Sequence, residues 1–168
     1  MNLAVIGSGG REHAICYKLK QSPKIKKLFC IPGNAGTKKL AKNIEVDISN
    51  FDALLKIIKE NNVDLVIVGP EQPLVDGLVD YLSNNKIKVF GPDKFSAQLE
   101  GSKSFMKNLC KKNNIPTAKF GVFNNFDLAK KFIKKSVLPI VVKADGLAGG
   151  KGVSICHTVD DALKNTKE

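Results

Sequence analysis

The apolar positions fall into short continuous runs and longer runs with helical spacing, and the two kinds alternate over roughly the first hundred residues. Asn2 to Ile6 predicts a short buried strand, broken by Gly7-Ser8-Gly9-Gly10 and followed by a helical pattern from Glu12 to Gln21. A second strand is predicted over Lys27 to Ile31, ending at Pro32. A helix over Phe51 to Asn61 follows from Leu54, Leu55, Ile57 and Ile58. The β-rich run Val63 to Val68 fits a strand buried on both faces. Pro73 suits the first turn of a helix expected to run through Leu82, and Ile87 to Phe90 closes the set at Gly91-Pro92. Strands alternating with helices at this spacing predict an α/β fold, a doubly wound, Rossmann-like parallel sheet over residues 1–100. Ligands bind such sheets at the carboxyl ends of the strands. The turns Gly7 to Arg11, Pro32 to Gly36, Gly69 to Pro73 and Gly91 to Asp93 all follow predicted strands, so all are expected at one edge.

Beyond residue 100 the pattern changes. A helix over Ser102 to Asn114, a turn at Ile115-Pro116-Thr117, a strand over Lys119 to Phe123 and a helix over Phe126 to Lys135 come first. Two strands then flank a glycine-rich stretch, Pro139 to Lys143 before Gly146 to Gly152 and Val153 to Cys156 after it, which predicts a hairpin. A last helix, Val159 to Lys164, leaves residues 101–168 as a linker helix and an incomplete α+β domain.

Composition is that of a soluble globular protein, with 43% hydrophobic and 26% charged residues. No run approaches the ~18 apolar residues of a membrane span, and the start carries no basic leader, so a cytoplasmic chain without membrane association is expected. Cys16, Cys30, Cys110 and Cys156 form no CxxC pair and the two histidines are far apart, so no metal site is assigned. Cys16 and Cys30 sit in apolar patterns and are expected to pack the core. The net charge of +11 raises the possibility of a nucleic-acid binder. The lysines, however, are spread along the whole chain, and aromatic residues are 7% and not interleaved with them, so a general solvated surface is expected instead. Against this lysine-rich background Arg11 is the only arginine. Lysine cannot reproduce a planar two-pronged donor, so Arg11 is expected to serve by its geometry.

Gly7-Ser8-Gly9-Gly10-Arg11-Glu12-His13 joins a strand to a helix, where backbone amides bind anions. A dinucleotide loop of an NAD-linked dehydrogenase is the alternative. It lacks its third glycine, where Glu12 stands, and the acidic residue ~20 positions on. A phosphate site backed by Arg11 fits better. His13 is expected to orient the loop more than to act as a base. Glu71, just past a strand end, could receive an amine or a ribose hydroxyl. Lys143 ends an apolar strand, where a lysine calls for an anionic partner such as a nucleotide phosphate. Asp145 to Gly152 is not a Walker A loop, since Asp145 and Gly152 stand where that motif needs Gly and Ser or Thr. A mobile flap over a triphosphate, with Lys151 for charge, is the expected role.

Six segments taken together resemble the glycinamide ribonucleotide synthetase family of ATP-grasp ligases. They are Gly7 to Ala14, Pro32 to Gly36, Val68 to Glu71 with Pro73-Leu74-Val75, Ala97 to Lys103, Ile115 to Ala118, and Val142 to Ala148. Gly149 stands where alanine is commoner in that family. The resemblance implies ATP-dependent joining of glycine to 5-phosphoribosylamine through a glycyl phosphate, in purine synthesis, with Mg2+ as cofactor. It implies that Gly9, Gly10, Arg11, Asn34 and Glu71 meet the phosphoribosyl substrate. Lys103, Lys143, Gly146, Gly149, Gly150, Lys151 and Gly152 would serve ATP. No catalytic residue is assigned, and the metal ligands are expected beyond residue 168. The partners implied are small molecules only, with no nucleic acid, and a monomer is expected. These 168 residues alone are expected to bind weakly, if at all, and not to turn over.

Overall fold

The computed structural model describes residues 1–167; Glu168, the end of the second predicted domain, lies outside the described residues. The chain divides into two compact units, Met1–Gln98 and Leu99–Glu168.

In the first unit five parallel strands lie in the order β3-β2-β1-β4-β5. They are β1 (Asn2–Gly7), β2 (Lys27–Pro32), β3 (Lys42–Asn43), β4 (Leu65–Val68) and β5 (Val89–Phe90). Leu3 aligns with Leu28 on one side and Leu65 on the other. Successive residues of a strand point to opposite faces, and here both faces are apolar. Ala4, Ile6, Phe29, Ile31, Val66 and Val68 pack on α2 (Phe51–Glu60) and α4 (Leu78–Asn84). Leu3, Val5, Leu28 and Cys30 pack on α1 (Gly10–Lys20) through Cys16, Ile15 and Leu19. Cys16 and Cys30 are fully buried, in keeping with a packing role. The Cys16 thiol is pushed up by its hydrogen bond with Cys30 and by desolvation, so it stays protonated.

The chain leaves β1 towards β2 and β3 on one side, then crosses to β4 and β5 on the other. The reversal lies between β1 and β4, and it opens a crevice at their carboxyl ends.

Three local expectations are corrected. The single helix expected from Pro73 to Leu82 is two, α3 (Glu71–Asp76) and α4, because Gly77 adopts φ +97° between them and ends the first. Pro73 is the third residue of α3, where no intrahelical donor is yet needed. The strands at β4 and β5 start two residues late. Val63 and Ile87 donate back to the preceding helices, to Ile58 and Leu82, and close their ends instead. A 3-10 turn at Thr37–Lys39 and the short β3 add to the predicted set.

After the short α5 (Gln98–Gly101), which starts at the last residue of the first unit, the second unit contains α6 (Lys103–Lys112), α7 (Phe126–Ile133), β6 (Ile140–Lys143), β7 (Val153–Cys156) and α8 (Val159–Lys167). β6 and β7 form the expected antiparallel hairpin, with Ile140 opposite Cys156 and Lys143 opposite Val153. One face of the hairpin, Ile140, Val142 and Cys156, packs with Ile133, Ala162 and Leu163, and the other leaves Val141, Val153 and Ile155 exposed. Residues 119–123, expected as a strand, are irregular. Their rings make side-chain contacts instead: Phe123 meets Phe132 of α7 at a tilt of 51°, centroids 5.1 Å apart, and Lys107 lies over Phe120. Without a partner strand, alternation alone does not hold an extended segment. No helix among the described residues is long and apolar enough to cross a membrane.

Candidate functional site

Register places Gly7 of β1 beside Pro32 of β2 and Ile6 beside Val68 of β4, so three loops leave the sheet side by side. The backbone ties them at once: Gly33 N–H donates to Gly7 O at 3.1 Å and Gly69 N–H to Ile6 O at 3.1 Å. Three side chains then lock the loops together.

The first is Glu12, which sequence reasoning treated only as a missing glycine. Its side chain is buried, 4% exposed, and turns back under the loop so that its carboxylate accepts the Gly9 N–H at 2.6 Å. That is the reaching-back half of a capping box, and a glutamate three residues after Gly9 was its sequence signal. A Cβ on Gly69 would lie 2.1 Å from Glu12 Oε1, and one on Gly7 would lie 2.7 Å from its Cδ. Glycines at these two positions therefore make room for Glu12. The carboxylate also fills the place where a dinucleotide loop brings helix and strand into close contact through a glycine, so that alternative loses its structural basis.

The second is Arg11. Its guanidinium reaches across the switch point, donating to Gly69 O at 2.6 Å and to Glu71 Oε1 at 2.6 Å. Each terminal nitrogen of one rigid planar guanidinium serves one acceptor, a fork geometry that a lysine ammonium does not reproduce. Glu71 is the first residue of α3, and the hydrogen bond from Arg11 lowers its pKa, so it stays ionised. Both side chains remain about half exposed (57% and 40%), open to a ligand.

The third is Asn34. Its Nδ2 donates to Ser8 O at 2.8 Å and Gly9 O at 3.3 Å, while its Oδ1 accepts from Gly36 N–H and Thr37 N–H at 2.8 and 2.9 Å. It thus pins the second loop to the first. Asn43 and the buried Thr37 back it: Asn43 Nδ2 donates to Asn34 O at 2.8 Å and Thr37 Oγ1 to Asn43 Oδ1 at 2.9 Å. Sequence reasoning missed both, because their role depends on β3, too short to leave a pattern. An open hollow of about 760 Å3 lies beside this network, lined by residues 32–35 with Lys38, Asn43, Glu45 and Asp47 among others. Gly9 and Gly10 sit at the start of α1; a Cβ on Gly10 would meet nothing within 4 Å, so the space beside it is open. His13 lies along the second loop, its Nε2 3.1 Å from where a Gly36 Cβ would stand.

In the second unit the structure brings the predicted nucleotide residues to one hairpin and one helix start. Lys143 and Val153 are opposite each other, so the glycine-rich loop begins and ends beside Lys143. Lys143 is exposed, which corrects the sequence argument: it points outward from a two-stranded sheet, so burial makes no demand for an anionic partner. Gly146, Gly149, Gly150 and Gly152 all have positive φ, and at the first three an added Cβ would meet nothing within 4 Å. Residues 146–148 are half-buried, and the tip of the loop, Gly149, Gly150 and Lys151, is exposed. Lys103 opens α6 and its Nζ donates to Gly146 O at 2.6 Å, so the helix start is tied to the entry of the glycine-rich loop. Among the described residues, no group of three or more His, Cys, Asp or Glu could hold a metal ion.

Comparison with known proteins places both units. Residues 1–100 match the family model described as phosphoribosylglycinamide synthetase, N domain. Residues 101–168 match phosphoribosylglycinamide synthetase, ATP-grasp (A) domain. The chain is 50% identical over 163 residues to a phosphoribosylamine–glycine ligase of Brucella melitensis, covering 97% of this chain and 38% of that relative. Among solved structures it is similar to phosphoribosylamine–glycine ligase from Thermotoga maritima, with TM-score 0.78, 34% identity, and 98% of this chain and 38% of that one covered. The biotin carboxylase domain of Hydrogenobacter thermophilus 2-oxoglutarate carboxylase, solved with MgADP, has TM-score 0.76 at 19% identity, a likeness of fold alone. It covers 99% of this chain and 40% of that one. The chain thus spans about two fifths of the length of the relatives it matches.

Proposed function

The chain belongs to the phosphoribosylglycinamide synthetase family, and from that premise we propose that it supplies the phosphoribosyl-binding domain and part of the ATP-grasp domain of an ATP-dependent ligase. The reaction joins glycine to 5-phosphoribosylamine. ATP transfers its γ-phosphoryl group to the glycine carboxylate, releasing ADP. The amine then attacks the acyl carbon of glycyl phosphate and phosphate leaves, giving glycinamide ribonucleotide. Activation turns a poor electrophile into a reactive one, and the protein contributes by holding the amine in line and keeping water out.

In this reading Gly9, Gly10 and Arg11 meet the phosphoribosyl group, with Asn34 and Glu71 beside it. The observation that carries it is the bridge from Arg11 to Gly69 O and Glu71 across the switch point. It places a cation and an ionised carboxylate side by side, partners for a phosphate and for an amine or ribose hydroxyl respectively. Lys103, Lys143 and Lys151, with Gly146, Gly149, Gly150 and Gly152, are assigned to ATP. The three lysines supply positive charge for phosphates, and the open glycine loop supplies the flap. For the magnesium that the family implies, the described residues hold no group of three or more His, Cys, Asp or Glu. Turnover is assigned to a chain of the relatives' length, and these residues are assigned binding. Small-molecule substrates and a monomer complete the reading.

Calorimetric titration with glycinamide ribonucleotide tests it, on this chain and on one of the relatives' length, each with Arg11→Lys. Binding weakened roughly tenfold by Arg11→Lys, about the worth of one charge-assisted hydrogen bond, supports the assignment. Binding unaffected by Arg11→Lys, or absent from both chains, overturns it.

A further inference from the structure

Asp145, just before the glycine-rich loop, has no part in the assignments above, yet its carboxylate collects more hydrogen bonds than any other side chain of the second unit. It accepts from Ser104 N–H at 3.2 Å, Ser104 Oγ at 2.5 Å, Ser102 Oγ at 3.2 Å and Gly146 N–H at 3.0 Å. Ser102 is the N-cap of α6 and itself accepts from Phe105 N–H at 3.1 Å. These donors, the Ser104 hydroxyl foremost, hold the Asp145 carboxyl down at about 2. The next carbonyl along, Gly146 O, takes the Lys103 ammonium. Two consecutive residues at the loop's entry are therefore fastened to the first turn of a helix some forty positions earlier in the chain. At the other end the loop is held by its own backbone: Ala144 N–H donates to Gly152 O at 2.9 Å and Lys151 N–H to Ala148 O at 2.8 Å. Between them, a Cβ added at Gly149 or Gly150 would meet nothing within 4 Å.

We infer that Asp145 is the positioning residue of the flap: it docks the entry of the loop onto the start of α6 and so fixes the spacing between Lys103 on the helix and Lys151 on the loop. Only an ionised carboxylate suits the place. It offers acceptors alone, whereas asparagine would turn an NH2 group towards donors. Glycine-rich loops have little stiffness of their own, so the geometry of such a loop is set at its base. What the flap closes over rests on the ligase reading; the anchor itself does not, and it is tested without nucleotide.

The test is limited trypsin cleavage after Lys151 in this chain, compared among the wild type, Asp145→Asn, Ser104→Ala and the double variant. A second probe is the fluorescence anisotropy of a Leu147→Trp reporter, unambiguous in a chain with no tryptophan of its own. Asp145→Asn is expected to speed cleavage after Lys151 roughly tenfold, the loss of one charge-assisted hydrogen bond, and to lower the anisotropy. Ser104→Ala should do the same more weakly, and the double variant no more than Asp145→Asn alone. Cleavage after Lys130 and Lys131 in α7 should not change. An unchanged rate after Lys151, additive effects in the double variant, or an equal rise within α7 would each overturn the inference. The glycinamide ribonucleotide titration reads the ligase assignment separately.

Discussion

Gly69→Ala is the sharpest probe of the first site, because its effect depends on another residue. Gly69 does not have a positive φ, so the backbone accepts alanine without strain. The added Cβ would stand 2.1 Å from Glu12 Oε1 and 2.7 Å from its Cδ. Glu12 cannot swing away cheaply, being buried against Gly7 and bound to the Gly9 N–H. Forcing it out combines overpacking, ~1–3 kcal/mol, with loss of a charge-assisted hydrogen bond, ~1.5–3 kcal/mol. The two overlap, and about 2–4 kcal/mol is expected, roughly 10–25 °C in Tm for a unit of this size. Glu12→Ala alone should cost about 1.5–3 kcal/mol by leaving the Gly9 amide without its acceptor. In that background the obstacle is gone, and Gly69→Ala should be neutral or stabilising by up to ~1 kcal/mol. The cycle, measured by urea unfolding of the four chains, should give a coupling of about 2 kcal/mol or more. Additivity within ~0.5 kcal/mol would refute the claim that Gly69 is glycine to house Glu12.

Two further outcomes follow from the same network. Asn34→Asp keeps the acceptor for Gly36 and Thr37 but turns an oxygen towards Ser8 O and Gly9 O; a loss of ~1–3 kcal/mol in chemical denaturation is expected. Glu71, whose folded pKa is depressed first by its hydrogen bond with Arg11, contributes stability that is present at neutral pH and lost as pH falls through that lowered value. Arg11→Gln should move its titration back up towards 4.5, read from the carboxyl carbon by NMR, and an unmoved titration would dissociate the pair.

How much was legible depended on how local each feature is. The strands β1 and β2 are runs apolar on both faces, so a buried parallel sheet follows from the pattern alone. The hairpin was legible because two β-rich runs flank a glycine loop. Pro73 misled because it marks a helix's first turn but not its first residue, and Gly77 reads as a tolerated helix interior until its φ is known. Residues 119–123 misled because β-propensity needs a partner strand to act on.

The sequence by itself determined the fold class, the edge of the sheet where the loops gather, and the family, since these rest on periodicity and on motifs with fixed spacing. It also singled out Arg11, by the contrast of one guanidinium against 26 lysines. Only the tertiary structure decided what those residues hold. Arg11 and Glu71 are 60 positions apart, Asn34 and Ser8 are 26, and Ser104 and Asp145 are 41. Contacts at such separations leave no periodic trace, because they are set by strand order and register. A glutamate in a glycine's place reads as a broken motif until two loops are seen to close around it.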